Sequence, residues 1–277
     1  YRSEWMKDQD SAKTLDDYSV KPMDKIARLF ASMNISDKNV RILDVGCGAG
    51  TKLLGLKEAG YTDLSGCEMS DQRVEITSRY FPGKIYNVGY SGVPKDNKFY
   101  IIYSSHVVEH MYNPRDFFSW AAAALEDDGF IVISLPNAEK EPVFQQVLFL
   151  PHLHSFSPLS LHRLGETHGF QSTFWQGANQ AEIMCVFTRN PKHFKTFNQS
   201  DFRSWQDRTG HTIEELVERT RAPWSETSGK TMTLTYISSP QYNCERTLWR
   251  SYVRLGWFSD ILLRIVYFVS KHLLSIG

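Results

Sequence analysis

Apolar and polar positions change rhythm along the chain, and each change marks a different kind of element. Residues 11–34 space Leu15, Tyr18, Met23, Ile26, Ala27, Phe30 and Met33 at roughly helical intervals, with Pro22 as a break, which predicts a leading helix or helix pair. Short, almost wholly apolar runs then alternate with helical stretches. Strands are predicted over 40–45, 64–68, 84–88, 99–103 and 130–134, and helices over 51–59, 71–80 and 114–125. Such alternation implies βαβ units, a parallel sheet covered on both faces, and right-handed crossovers. Residues 138–157, with Pro142 and Pro151, break the rhythm as a candidate lid; a helix over 158–168 follows and stops at Gly169. The β-like runs 171–175 and 183–188 lie about seven residues apart and predict an antiparallel hairpin closing one sheet edge. Beyond Asn190 the pattern dissolves into an aromatic-rich tail with Trp205, Trp224, Trp249 and Trp257. There a short helix near 211–220, a strand over 231–238 and apolar helix over 244–276 are expected.

The expected organisation is therefore a helical cap over 1–36, a sheet domain over 37–190 and an extension over 191–277. Composition supports a substantial core: of 277 residues, 42 % are apolar and 13 % aromatic, which excludes disorder. Lys+Arg and Asp+Glu balance at 31 each, so no nucleic-acid partner is expected from bulk electrostatics. Cys47, Cys67, Cys185 and Cys244 form no Cys-x-x-Cys pair, which argues for a reducing, cytoplasmic setting without a zinc knuckle or disulfide framework. The charged opening Tyr1-Arg-Ser-Glu does not read as a signal peptide, and Asp260, Arg264 and Lys271 interrupt the apolar tract too often for a membrane span. The last 33 residues carry five basic against two acidic side chains. This amphipathic stretch fits packing on its own domain, a homodimer contact or a peripheral membrane contact.

Chemistry concentrates after the first strand. That strand holds Asp44 and opens through Gly46-Cys47-Gly48-Ala-Gly50 into a helix, putting backbone N–H groups where α/β sheets bind ligands. Glu68, 22 residues after Gly46, ends the second strand, where a carboxylate can accept from both hydroxyls of a ribose. The glycine spacing departs from G-x-G-x-x-G, and Asp44 would repel a pyrophosphate but attract the amino group of an amino-acid-bearing ligand. S-adenosylmethionine is favoured over a nicotinamide dinucleotide.

Ile42-Leu-Asp-Val-Gly-Cys-Gly-Ala-Gly50 resembles the first motif of class I S-adenosylmethionine-dependent methyltransferases. Ser105-His-Val-Val-Glu-His110 with Asn113-Pro114 resembles the segment after that family's fourth strand, and Leu125-Glu-Asp-Asp-Gly129 through Asn137 resembles its fifth strand. His152-Leu-His-Ser-Phe-Ser157, with Leu161 and Gly169-Phe170, is similar to a stretch of the subgroup that contains ubiquinone-pathway O-methyltransferases and sugar and natural-product methyltransferases. Together these matches cover about residues 40–190. The resemblance implies a Rossmann-like, doubly wound α/β sheet of seven strands, mostly parallel with an antiparallel last strand. It implies that Asp44, Gly46, Cys47, Gly48 and Gly50 surround the methionine part of the cofactor, Glu68 holds the ribose and Met69 lies along the adenine. Ser105 and His106 would flank the sulfonium, and S-adenosylhomocysteine would be the product. An acid often found after the third strand is replaced here by Asn87-Val-Gly89-Tyr90-Ser91, so backbone groups near Gly89 and the Tyr90 side chain are expected at the adenine.

Methyl transfer depends chiefly on alignment, but an alcohol acceptor must also lose a proton. His106, Glu109 and His110 share a face if their turn is helical, and His152 and His154 share a side if theirs is extended. One of these histidines can serve as general base, the imidazoles with Glu109 can hold a divalent metal ion, or they can fix the loop structurally. The function expected is methyl transfer to a small or carrier-linked acceptor, most readily a hydroxyl of a sugar, quinone precursor or natural-product intermediate. The alternative is a methyltransferase-like binding module that uses its lid or tail for a partner. No motif identifies the acceptor.

Overall fold

A computed structural model describes residues 24–139, 152–178 and 181–205. These lie in the first of two compact units, Tyr1–Thr212; the second, Ile213–Gly277, falls outside the described residues. So do the expected helix near 211–220, the strand over 231–238, the apolar helix over 244–276, the first part of the leading helix and most of the lid.

After helix α1 (Asp24–Ser32), the chain alternates: β1 (Ile42–Val45), α2 (Thr51–Glu58), β2 (Leu64–Cys67), α3 (Asp71–Ser78), β3 (Ile85–Tyr86), β4 (Phe99–Ser105), α4 (Pro114–Ala124) and β5 (Leu125–Pro136). Helix α5 (Pro158–Glu166), β6 (Gln171–Trp175), β7 (Glu182–Thr188) and a short β8 (Phe202–Arg203) complete it. The strands join in one sheet in the order β3-β2-β1-β4-β5-β7-β6-β8. Pairs on the β3-to-β5 side are parallel, while β5 with β7, β7 with β6 and β6 with β8 are antiparallel. The α/β class and the reversed β7 agree with the sequence. Seven strands become eight, because Phe202 and Arg203 pair with Trp175 and Phe174 on the outer edge. The predicted antiparallel hairpin of β6 and β7 lies on that side of the sheet, with β7 against β5.

Alternation along the central strands divides the core into two layers. Phe130 and Val132 of β5 face a cluster with Leu29, Phe30, Leu53 and Leu56, whereas Ile131, Ile133 and Leu135 face Phe117, Phe118, Leu161 and Phe187. Helices α1 and α2 therefore cover one face, and α4 and α5 the other. Local signals set the helix ends. Asn113 caps α4 by accepting from the Arg115 N–H at 3.2 Å, with Pro114 in the first turn. Ser157 and Ser160 form a capping box ahead of α5, and Gly169 adopts φ 79° just beyond its end. Among the described residues no helix is long and apolar enough to cross a membrane.

Candidate active site

The turn between β1 and α2 is held open by backbone geometry. Gly46 sits at φ +71°, and a Cβ there would lie 2.4 Å from Val107 Cγ2. Gly48 has φ +56°, but a Cβ there would meet nothing within 4 Å. The first glycine thus packs against the turn after β4, while the second borders open space. Gly50, also left-handed, stands at the N-cap of α2 without a side-chain cap. Thr77 of α3 secures the turn from behind, its hydroxyl donating to the Gly48 carbonyl at 2.8 Å. Nothing in the glycine pattern pointed to Thr77 or Val107; both are distant in sequence and become neighbours through the crossovers.

Acidic groups face this turn. Glu68, buried at the end of β2, accepts from the Gly48 N–H at 3.0 Å through Oε2 and from the Met69 and Ser70 N–H groups at 2.8 and 2.9 Å through Oε1. Asp44 is 1 % exposed, and its Oδ2 has no hydrogen-bond partner. Burial pushes the Asp44 carboxyl up to about 7; Lys52 opposes the shift and Glu68 adds to it. A buried carboxyl in this state gains from a cation beside it. Burial also raises the Cys47 thiol far above its ordinary range and the Cys67 thiol to about 12, so neither is a thiolate nucleophile at neutral pH.

The remaining cofactor candidates spread along the carboxyl ends of the strands. Met69 is 57 % exposed, and a Cβ on Gly89 would lie 3.5 Å from its sulfur, so these two form one apolar shelf. Tyr90 turns its ring edge-on to Phe117 and Trp120, at centroid distances of 5.4 and 5.5 Å, and belongs to the core margin. Ser105 ends β4.

His106 follows it in the left-handed region at φ 55°, with its N–H donating to the Ser134 carbonyl at 2.8 Å. Its side chain is half exposed, and Nδ1 lies 3.3 Å from Oε1 of the buried Glu109. His110 Nε2 lies 4.0 Å from the same oxygen. The residues converge without an α-helix: a 3-10 turn over Val108–His110 and the reversed backbone at His106 bring them together.

His152 joins them, its ring centroid 4.8 Å from that of His110. His154 does not. The chain bends at Leu153, so the extended alternation expected for 152 and 154 is broken, and His154 Nε2 lies 3.4 Å from the Tyr112 carbonyl with its ring against Phe156. Its backbone stays close: the Leu153 and His154 N–H groups both donate to the Glu109 carbonyl, at 2.9 and 3.1 Å.

Across the rim, Lys25 and Ser134 hydrogen-bond Glu182 of β7. Burial works to raise that carboxyl, but these bonds outweigh it and hold it below its ordinary value. No motif marks this cluster, since Lys25 and Glu182 are 157 positions apart.

No curated protein matches the chain. Among solved structures, an S-adenosylmethionine-dependent methyltransferase from Clostridium acetobutylicum superposes with a TM-score of 0.50 at 11 % identity, over 61 % of this chain and 90 % of that one. A second from Bacteroides fragilis, solved with S-adenosyl-L-homocysteine, gives 0.49 at 17 % identity, over 62 % and 81 %. At 11 % identity the first likeness shows the fold alone. The family described as a methyltransferase domain matches residues 15–173, more than half of the sequence. The chain belongs to that methyltransferase family.

Proposed function

We propose that this methyltransferase uses S-adenosylmethionine and methylates a hydroxyl of a small or carrier-linked acceptor. The observation that carries the cofactor is Asp44: a buried carboxyl with an unpartnered oxygen, beside a glycine turn whose middle residue borders open space. That arrangement fits an ammonium-bearing ligand and disfavours a pyrophosphate. When bound, S-adenosylmethionine supplies a methyl group carried on a positively charged sulfur.

The chain's own residues do the rest. Asp44 and the backbone from Gly46 to Gly50 hold the amino-acid end, Glu68 turns toward the ribose hydroxyls, and Met69 with Gly89 offers the adenine an apolar face. Glu68 already accepts three backbone N–H groups, which fixes its orientation before any ligand arrives. His106 is the base in this reading. Its Nδ1 faces the Glu109 carboxylate, which leaves Nε2 to take the acceptor's proton. The backbone bond to Ser134 holds the ring at the mouth of the site.

Calorimetry with S-adenosylmethionine, S-adenosylhomocysteine and NAD tests the cofactor. Binding of the first two and not the third is expected; binding of NAD alone would sink the proposal. His106→Gln is expected to lower kcat on a hydroxyl acceptor by about 10²- to 10⁴-fold while S-adenosylmethionine affinity stays within about two-fold. An unchanged kcat would remove His106 as the base.

A further inference from the structure

Glu109 presents a problem that methyl transfer alone leaves unsolved. The residue is 1 % exposed, and apart from the approach of His106 Nδ1 to Oε1 at 3.3 Å, which meets no hydrogen-bond geometry, neither carboxylate oxygen has a hydrogen-bond partner. A carboxylate withdrawn from water needs a paired charge or a metal ion. What surrounds it is a set of imidazoles. One ligand-capable atom from each of Glu109, His110 and His152 lies within 4.8 Å of the other two. The two histidines come from chain segments far apart in sequence, yet their rings stand 4.8 Å apart, centroid to centroid, at 57°.

We propose that Glu109, His110 and His152 bind one first-row divalent transition-metal ion, Zn²⁺ by preference, which fastens the 152–157 segment to the turn after β4. Two imidazole nitrogens and one carboxylate oxygen suit Zn²⁺ and disfavour Mg²⁺ or Ca²⁺, which take oxygen ligands. Bonds of about 2.0–2.2 Å put tetrahedral ligand atoms roughly 3.3 Å apart, so small rotations of the two histidine side chains close the site. The carboxylate has two oxygens, one for His106 Nδ1 and one for the ion. Backbone geometry has already brought the segments together, since Leu153 and His154 both donate to the Glu109 carbonyl. Asn137 and Phe156 form a further bridge between the end of β5 and this segment. Three protein ligands leave a coordination position for water or an acceptor oxygen. The site goes beyond the cofactor reading and does not depend on it.

The test titrates full-length, chelator-treated protein with ZnCl₂ alone by calorimetry, and separately with S-adenosylhomocysteine. One equivalent of Zn²⁺ is expected for the wild type. His110→Ala and His152→Ala should each weaken binding at least about ten-fold while a His168→Ala control does not. No uptake at about millimolar Zn²⁺, or both site variants binding as the wild type does, overturns the proposal. Because S-adenosylhomocysteine is measured on the same samples, failure of the metal site and failure of the cofactor reading are told apart.

X-ray absorption at the zinc edge on the loaded wild type needs no variant. Two imidazole ligands support the site, and fewer overturn it. Hydrogen exchange at the Leu153 and His154 amides should slow on loading; an unchanged rate overturns the fastening.

Discussion

If Asp44 holds the cofactor as proposed, it links that binding to stability with a definite sign. Its carboxyl moves from an ordinary 3.8 to about 7 on folding, so the native state holds a proton that the unfolded chain releases. The stability this contributes is fully present below pH 3.8 and is lost as pH rises through 7. By pH 8 the ionised, buried group costs on the order of 4 kcal/mol relative to the protonated one. Asp44→Asn should therefore melt several degrees above the wild type at pH 8, the gap closing at pH 4, while S-adenosylmethionine affinity falls at least about ten-fold; a gap independent of pH contradicts the assignment. The glycine turn gives a second contrast. Gly46→Ala drives a methyl into Val107 and is expected to cost at least about 2 kcal/mol, whereas Gly48→Ala meets nothing and costs about 1–2 kcal/mol from its left-handed backbone. Urea melts should rank them so, with Gly48→Ala, the better folded of the two, still losing cofactor binding.

Helix α5 is pressed against the sheet through one residue. A Cβ on Gly165 would lie 2.4 Å from Phe187 of β7, so Gly165→Ala is expected to lose about 1–3 kcal/mol by denaturant unfolding despite the better helix propensity of alanine. That contact was invisible in the sequence, where the glycine only weakens a helical pattern. Elements with strong local signals were legible: the apolar runs of β1, β4 and β7, the Asn113-Pro114 and Ser157-Pro158 entries, and the Gly169 exit. Two elements were not. Strand β5 begins at Leu125 because Leu125 pairs with Phe99, although Glu-Asp-Asp-Gly reads as a turn, and a register shift between Phe99 and Ile101 absorbs the mismatch. Strand β8 has two residues and no periodicity to detect. The site divides likewise: Asp44, the glycines and Glu68 sit within a single βαβ unit and show in the spacing, whereas His110 and His152 lie on distant segments that meet through the backbone bonds of Leu153 and His154 to the Glu109 carbonyl.

Across the molecule, the sheet should open unevenly. Strands β1, β4, β5 and β7 lie at its centre with both faces buried, while β3 and β8 are two-residue edges. Native-state hydrogen exchange is expected to find the slowest amides in β4, β5 and β7 and the fastest in β3 and β8; uniform protection would contradict a sheet organised around β5. The position of β7 also has a consequence for how the chain is made. Strand β5 has one neighbour earlier in the sequence, β4, and its other edge waits for β7. During synthesis the apolar stretch from Phe130 to Leu135 emerges well before residues 182–188 can cover it. Until then it presents an unpaired strand edge to whatever else is nearby. Nascent chains of this protein are thus most exposed to misassociation in the interval before β7 leaves the ribosome, and a stall placed there would be the condition under which a chaperone matters most.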